Sequence, residues 1–219
     1  MKKYEITNKS IEFEGKTLYR IKALHDFNDV KTGDLGGFIE SEDNLSHHGD
    51  CWIYGNTKVL DDAYVDGNAR VLGNAVVRHS SRITENAVIC KNAYISNSYI
   101  HGVAVITDDA RIVCESTICG TTMICGNTYI NAGNIKSNDE YLCISTPTER
   151  GEYINTVAFR DADNTVWIST NYEEYGYELY TFDEHARYHT TRRDIAVVNA
   201  VKSLSLIHIS EPTRQAEIS

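Results

Sequence analysis

The chain has 219 residues, 42% of them hydrophobic, with 31 Asp and Glu against 21 Lys and Arg and only two prolines. That balance excludes a disordered chain, which would bury too little apolar surface to offset its ordering entropy. A formal charge of −10 argues against nucleic acid as a partner, because neutralising phosphates needs a basic face. With no apolar run of about 18 residues and no signal-peptide core after Met1, the expected location is the cytoplasm, with no membrane partner.

Residues 1–44 alternate polar and apolar through Tyr4, Ile6, Ile11, Phe13, Leu18, Tyr19 and Ile21, with a Glu14-Gly15 turn between them. This predicts short strands forming an N-terminal β cap. Residues 45–136 carry an internal repeat of six. Ile or Val recurs from Ile53 through Val59, Val65, Val71, Val77, Ile83 and Ile89 to Ile95 and, after a one-residue deletion, from Ile100 through Ile106, Ile112, Ile118 and Ile124 to Ile130. Four residues after nearly every aliphatic stands a small residue, such as Ala63, Ala69, Ala75, Ala87, Ala93 or Ala104.

A period of six is neither helical nor simple strand alternation. It suits a short strand plus a corner, three of which close a triangular coil. The aliphatics fill the interior and the small residues fit the corners. Asn56, Asn68, Asn74, Asn86 and Asn92 follow the aliphatics by three and are expected to take the left-handed conformation at the turn. Eighteen residues per coil gives four to five coils, a prism roughly 20–25 Å long.

Residues 137–204 lose the repeat. Thr146-Pro147-Thr148 interrupts the chain, Thr156–Arg160 and Thr165–Ile168 read as a hairpin across Asp163-Asn164, Thr181 is a predicted N-cap, and Ile195, Val198 and Val201 mark a helix within Arg193–Leu204. A small α+β module is expected. Residues 205–219, Ser205 to Ser219, resemble translated sequencing-adapter read-through and are expected to be non-native. The six cysteines contain no C-x-x-C pair and their spacing fits no zinc module, so no metal site is expected.

The repeats resemble those of hexapeptide-repeat, left-handed parallel β-helix proteins over residues 45–136. The resemblance supplies the handedness, and the expected fold is mainly β: a left-handed parallel β-helix with a small C-terminal α+β module. A narrower resemblance rests on Leu18-Tyr19-Arg20-Ile21-Lys22-Ala23-Leu24, Thr32-Gly33-Asp34-Leu35-Gly36-Gly37-Phe38-Ile39-Glu40 and repeats such as Ala69-Arg70-Val71-Leu72-Gly73-Asn74. It points to a phage and prophage family in which a short β cap precedes the helix and a small α+β module follows, and implies phage origin and a bacterial host cytoplasm.

Three functions are compatible with this scaffold. The first is a non-enzymatic binding protein. Residues eighteen apart stack, or seventeen apart across the deletion, so Tyr94, Arg111 and Tyr129 form one outward ladder and Tyr64, Arg82 and Tyr99 another. A guanidinium between aromatic rings suits phosphate, and the rings suit a planar base, so a small anionic, nucleotide-like ligand is expected. The phage resemblance implies sequestration of a host molecule of antiviral defence. Trp52, Tyr54, Leu72, Val88, Val105 and Met123 make another face apolar, an expected homotrimer interface unless the C-terminal module covers it.

The second function is acyl transfer with acetyl-CoA, which the repeat family implies. It needs a general base, for which His101 and His79 are the candidates; no loop frames either, and the binding reading expects neither a catalytic residue nor a cofactor. The third is a trimeric spacer without a ligand. His47-His48 are assigned to the cap junction.

Overall fold

The structure, a computed structural model, describes residues 1–147, 153–161, 163, 165–172 and 176–188. The predicted helix at 193–204 and the terminal stretch 205–219 lie outside the described residues. The chain divides into two units, Met1–Asn138 and Asp139–Ser219.

The first unit is a parallel β-solenoid of about five coils, as the repeat predicts. Each coil contributes one short strand to each of three faces. The first face stacks Trp52–Ile53, Arg70–Val71, Val88–Ile89, Val105–Ile106 and Met123–Ile124. The second stacks Lys58–Val59, Val76–Arg78, Tyr94–Ser96, Arg111–Val113 and Tyr129–Asn131. The third stacks Tyr64–Val65, Arg82–Ile83, Tyr99–Ile100, Thr117–Ile118 and Asn134–Ile135. Every predicted interior aliphatic is fully buried, as are the small residues four places on, including Thr57, Ser81, Ser116, Thr122 and Thr128. Three residues that extend the interior stacks went unpredicted. Ile39 pairs in parallel with Val59, Leu45 bridges to Val65, and Ile135 completes the third stack.

The corners correct one expectation. The left-handed residue is the second after each aliphatic, not the asparagine at the third: Gly55, Gly67 and Gly73 have positive φ while the asparagines do not. The asparagines instead form ladders along the corners. Asn68 donates to Asn86 (3.1 Å), Asn74 to Asn92 (3.2 Å) and Asn92 to Asp109 (3.0 Å). With the turn already made one residue earlier, the amide is free to satisfy its neighbours on successive coils.

The N-terminal strands Tyr4–Phe13 and Lys16–Ala23 form a hairpin through Glu14 and Gly15, both left-handed. The strand Leu35–Ile39 pairs antiparallel with Lys16–Ala23 and parallel with the second face, so the cap continues that sheet and covers its edge. Leu18, Phe38 and Leu60 are buried together outside the second face. Lys3 pins the cap to the first coil. Its buried Nζ donates to the Cys51 (2.8 Å) and Gly49 (3.3 Å) carbonyls and lies 5.3 Å from the Phe27 ring centroid.

The second unit holds a four-stranded antiparallel sheet in sequence order, Tyr141–Pro147, Tyr153–Arg160, Val166–Tyr172 and Gly176–Thr181, followed by the helix Phe182–Tyr188. The predicted hairpin is present in register, with Phe159 opposite Trp167. Asp161 organises its turn, accepting from the Asp163 and Thr165 N–H groups (2.9 Å each) and from Trp167 Nε1 (2.7 Å). Thr181 caps the helix in a reciprocal pair with Glu184. The two outer strands were not predicted.

Candidate functional site

The three corners are not alike. From first to second face, and from third to first, successive aliphatics inside the solenoid are always six apart. From second to third face the spacings are six, six, five, six and five: Ile95 to Ile100 and Ile130 to Ile135 are each one residue short. Both deletions fall on this second corner. At the other two corners glycine supplies seven of ten left-handed residues, three at the first (Gly55, Gly73, Gly126) and four at the third (Gly49, Gly67, Gly102, Gly120). The second corner has none, turning instead through Asp61, His79, Asn97, Cys114, Glu115 and Ala132.

Side chains at positive φ cost about 1–2 kcal/mol each, less for Asn and Asp. At the first and third corners the exceptions serve the coil below: Asp108 accepts from Gly126 N–H (3.0 Å) and Glu85 from Gly102 N–H (2.9 Å). Asp61 does likewise for His79 N–H (3.0 Å). Among the described residues, the side chains of Asn97, Cys114, Glu115 and Ala132 make no such bond. The shortened turns are accommodated locally by serine, since Ser81 Oγ accepts from Ser98 N–H (3.3 Å) and Ser116 Oγ from Gly133 N–H (3.0 Å).

Two depressions flank this corner and share Ser80. The one nearer the cap, about 480 Å³, is lined by Lys16, Glu40, Asp61, Asp62 and His79. Its two cations are both taken up by carboxylates of the chain. Lys16 pairs with Glu40 (2.8 Å) and Asp61 (2.6 Å), and Arg78 with Asp61 (3.2 Å) and Glu14. Burial would raise the Asp61 pKa, but the hydrogen bonds from Lys16 and His79 N–H and the charges of Lys16 and Arg78 outweigh it and bring it down to about 2. His79 Nδ1 lies 2.7 Å from Ser96 Oγ, while its Nε2 is 3.9 Å from Asp61, too far for a hydrogen bond.

The second depression, about 400 Å³, lies over the shortened turn and is lined by Arg82, Asn97, Ser98, Tyr99, Glu115 and Ser116. Here the two charges are not paired. Neither Arg82 nor Glu115 makes an ion pair or side-chain hydrogen bond among the described residues. Arg82 is held instead 5.9 Å from the Tyr64 ring centroid, and the Glu115 backbone is fixed by its N–H donating to Asn97 O (2.6 Å).

Both predicted ladders are assembled by the strand register. Arg82 stands between Tyr64 and Tyr99, and Arg111 between Tyr94 and Tyr129. Arg111 lies 4.6 Å from the Tyr94 centroid, and burial raises the Tyr129 pKa. Only the Arg82 ladder borders a depression described here. Tyr99 also stacks on His101, 4.4 Å apart at 17°, and His101 Nδ1 is 3.8 Å from Glu85. His79 and His101 therefore sit in different settings, one on the second corner and one on the third face.

The predicted interface face is altered by the cap. Trp52 is 1% exposed, with Phe27 at 5.4 Å and Tyr4 at 6.2 Å, both edge-on. A Cβ at Gly36 would lie 2.7 Å from its ring. Tyr54 donates to Asp29 (2.8 Å), and burial followed by that bond pushes its pKa up to about 12. Arg70 reaches the same carboxylate (2.5 Å). Trp52 and Tyr54 are thus engaged within the chain, by the N-terminal cap. Leu72, Val88 and Val105 remain half-buried, and Met123 is 50% exposed.

His47 stacks on Tyr4 (4.3 Å) and accepts from Lys3 N–H (3.2 Å), and burial lowers its pKa. Among the described residues, no group of three or more His, Cys, Asp or Glu is placed to hold a metal ion, and no helix is long and apolar enough to cross a membrane.

No family model matches the chain. It is similar to the uncharacterized acetyltransferase YdcK of Escherichia coli (strain K12), 34% identical over 67 residues, which is 27% of this chain and 21% of that protein. The match thus spans about a fifth of the relative's length.

Proposed function

We propose that this protein binds a small anionic, nucleotide-like molecule without transforming it, at the depression beside Arg82. The observation that carries this reading is an exposed guanidinium with no ion pair among the described residues, held between Tyr64 and Tyr99 at the rim of a depression. Such a group offers charge-assisted hydrogen bonds to a phosphate while a ring receives a base. The Arg111 ladder is a second place of the same chemistry. The resemblance to phage proteins supports sequestration of a host nucleotide signal in the bacterial cytoplasm. The stripe of Leu72, Val88, Val105 and Met123 supports self-association, with a homotrimer as the arrangement that the repeat resemblance favours.

Titration calorimetry with linear and cyclic nucleotides tests the binding. Arg82→Ala should weaken it about tenfold or more, a charge-assisted bond being worth ~1.5–3 kcal/mol, with the melting temperature unchanged. Light scattering tests self-association. The local similarity to YdcK favours a second reading, acetyl transfer from acetyl-CoA, with His101 or His79 as the base. Release of coenzyme A that His101→Ala or His79→Ala abolishes would replace the binding reading with this one.

A further inference from the structure

Resting on the ligand reading above, we infer that Glu115 accepts from hydroxyl groups of the ligand, so that the ligand is a nucleotide carrying a vicinal diol, of the size of a ribonucleoside monophosphate. Arg82 and Glu115 line one depression, yet they are not within ion-pair distance of one another. Arg82 is held towards Tyr64, and Glu115 sits on a left-handed turn (φ 61°) that follows a second left-handed residue, Cys114 (φ 56°).

Two opposite charges left apart in one small depression suit a ligand with two chemically different ends. A carboxylate beside the phosphate site would repel a purely anionic ligand. It becomes favourable only when it meets donors on the same molecule. A ribose diol supplies two O–H donors that a carboxylate accepts with its two oxygens. The base then meets Tyr99 on the ring face not stacked against His101, and Asn97 lines the same depression. The volume, about 400 Å³, falls at the small end of ligand pockets and suits one nucleotide better than two.

The strain at Glu115 also bears on this. The repeat would turn there at lower cost on glycine, and the Glu115 side chain does nothing for the coil below it, unlike Asp61, Glu85 and Asp108. A side chain kept at positive φ without a structural partner is the pattern expected of a ligand contact.

The test is calorimetric titration of the full chain with the four ribonucleoside 5′-monophosphates and their 2′,3′-dideoxy counterparts. Wild type should bind at least one ribonucleotide tenfold or more tighter than its dideoxy partner. Glu115→Gln, checked for an unchanged melting temperature, should bring the two within about twofold, by weakening the ribonucleotide while the dideoxy form binds as well as before or better once the carboxylate's repulsion is gone; Arg82→Ala should weaken both equally. Equal binding of ribo and dideoxy forms by wild type, or equal loss of both in Glu115→Gln, would overturn the role of Glu115 and leave the nucleotide reading standing. If no nucleotide binds, the underlying reading falls and this inference with it.

Discussion

The first and third corners of the solenoid turn mostly on glycine and keep a strict spacing of six, whereas the second corner turns without glycine and twice drops a residue. All three corners solve the same backbone problem, a reversal that needs one residue in the left-handed region. Where glycine solves it, the coils approach so closely that a side chain would not fit at several positions. Where it does not, the chain tolerates strain, and both depressions described here lie along that edge. The difference separates corners shaped by close stacking from one that carries side chains at positive φ beside both depressions.

The largest expected effect sets the baseline common to all corners. Ile89 lies in the middle of the first interior stack and is fully buried. Ile89→Asp would place an uncompensated carboxylate there, at a cost on the order of 4–5 kcal/mol or more. No cooperative thermal transition should remain by circular dichroism. A soluble variant melting like wild type would break the interior assignment, and with it the corner register.

Gly120→Ala probes a stacking corner. Gly120 has φ 65°, and a Cβ there would lie 2.1 Å from the Lys136 carbonyl oxygen. Left-handed strain and overpacking together should cost on the order of 2–3 kcal/mol, read as a lowered urea midpoint. Unchanged stability would mean that the third corner is not close-stacked, removing the contrast.

How much of this was legible in advance differs by environment. The interior aliphatics were readable because each hexad repeats one environment, so Ile53 and Ile124 answer to the same constraint. Ile135 escaped because it follows Ile130 by five, and Ile39 and Leu45 because the coil they begin is interrupted by the short 3₁₀ turn Glu42–Asn44. The burial of Trp52 was not readable, since Tyr4 and Phe27 reach it from distant sequence through the fold of the cap. Both Tyr-Arg-Tyr ladders were readable from register. Glu115 is not among the residues the repeat singles out, although a signal exists: the deletion after Ile95, once assigned to a corner, points to Asn97 and to the residues stacked beside it.

Asp61 sharpens the comparison through pH. Its folded pKa, about 2, lies below the ordinary value of 3.8. A group depressed in this way stabilises the folded state above its unfolded pKa, and the contribution is lost as pH falls from about 4 through 2. Asp61→Asn should therefore be less stable than wild type at pH 7 by on the order of 1–2 kcal/mol, after allowance for solvent screening. The gap should close between pH 4 and pH 2. A gap of constant size down to pH 2 would mean that the Lys16 and Arg78 contacts do not hold this corner.

The smallest effect has the opposite sign. At Glu115 the left-handed backbone costs about 1–2 kcal/mol relative to glycine, while glycine gives back about 0.4–1 kcal/mol through the greater entropy of the unfolded chain. The Glu115 side chain has no hydrogen bond or ion pair among the described residues to lose, so Glu115→Gly should stabilise the protein by roughly 0.5–1 kcal/mol, or about 1–4 °C in melting temperature at this chain length. Ala132→Gly, at φ 56°, should do the same and serves as the control, because it relieves strain at the same corner without removing a polar group. If both raise the melting temperature and only Glu115→Gly weakens ligand binding, strain at this corner is retained for the side chain it presents. If Glu115→Gly is destabilising while Ala132→Gly stabilises, Glu115 supports the solenoid itself, and the second corner differs from the others in its stacking rather than in its use.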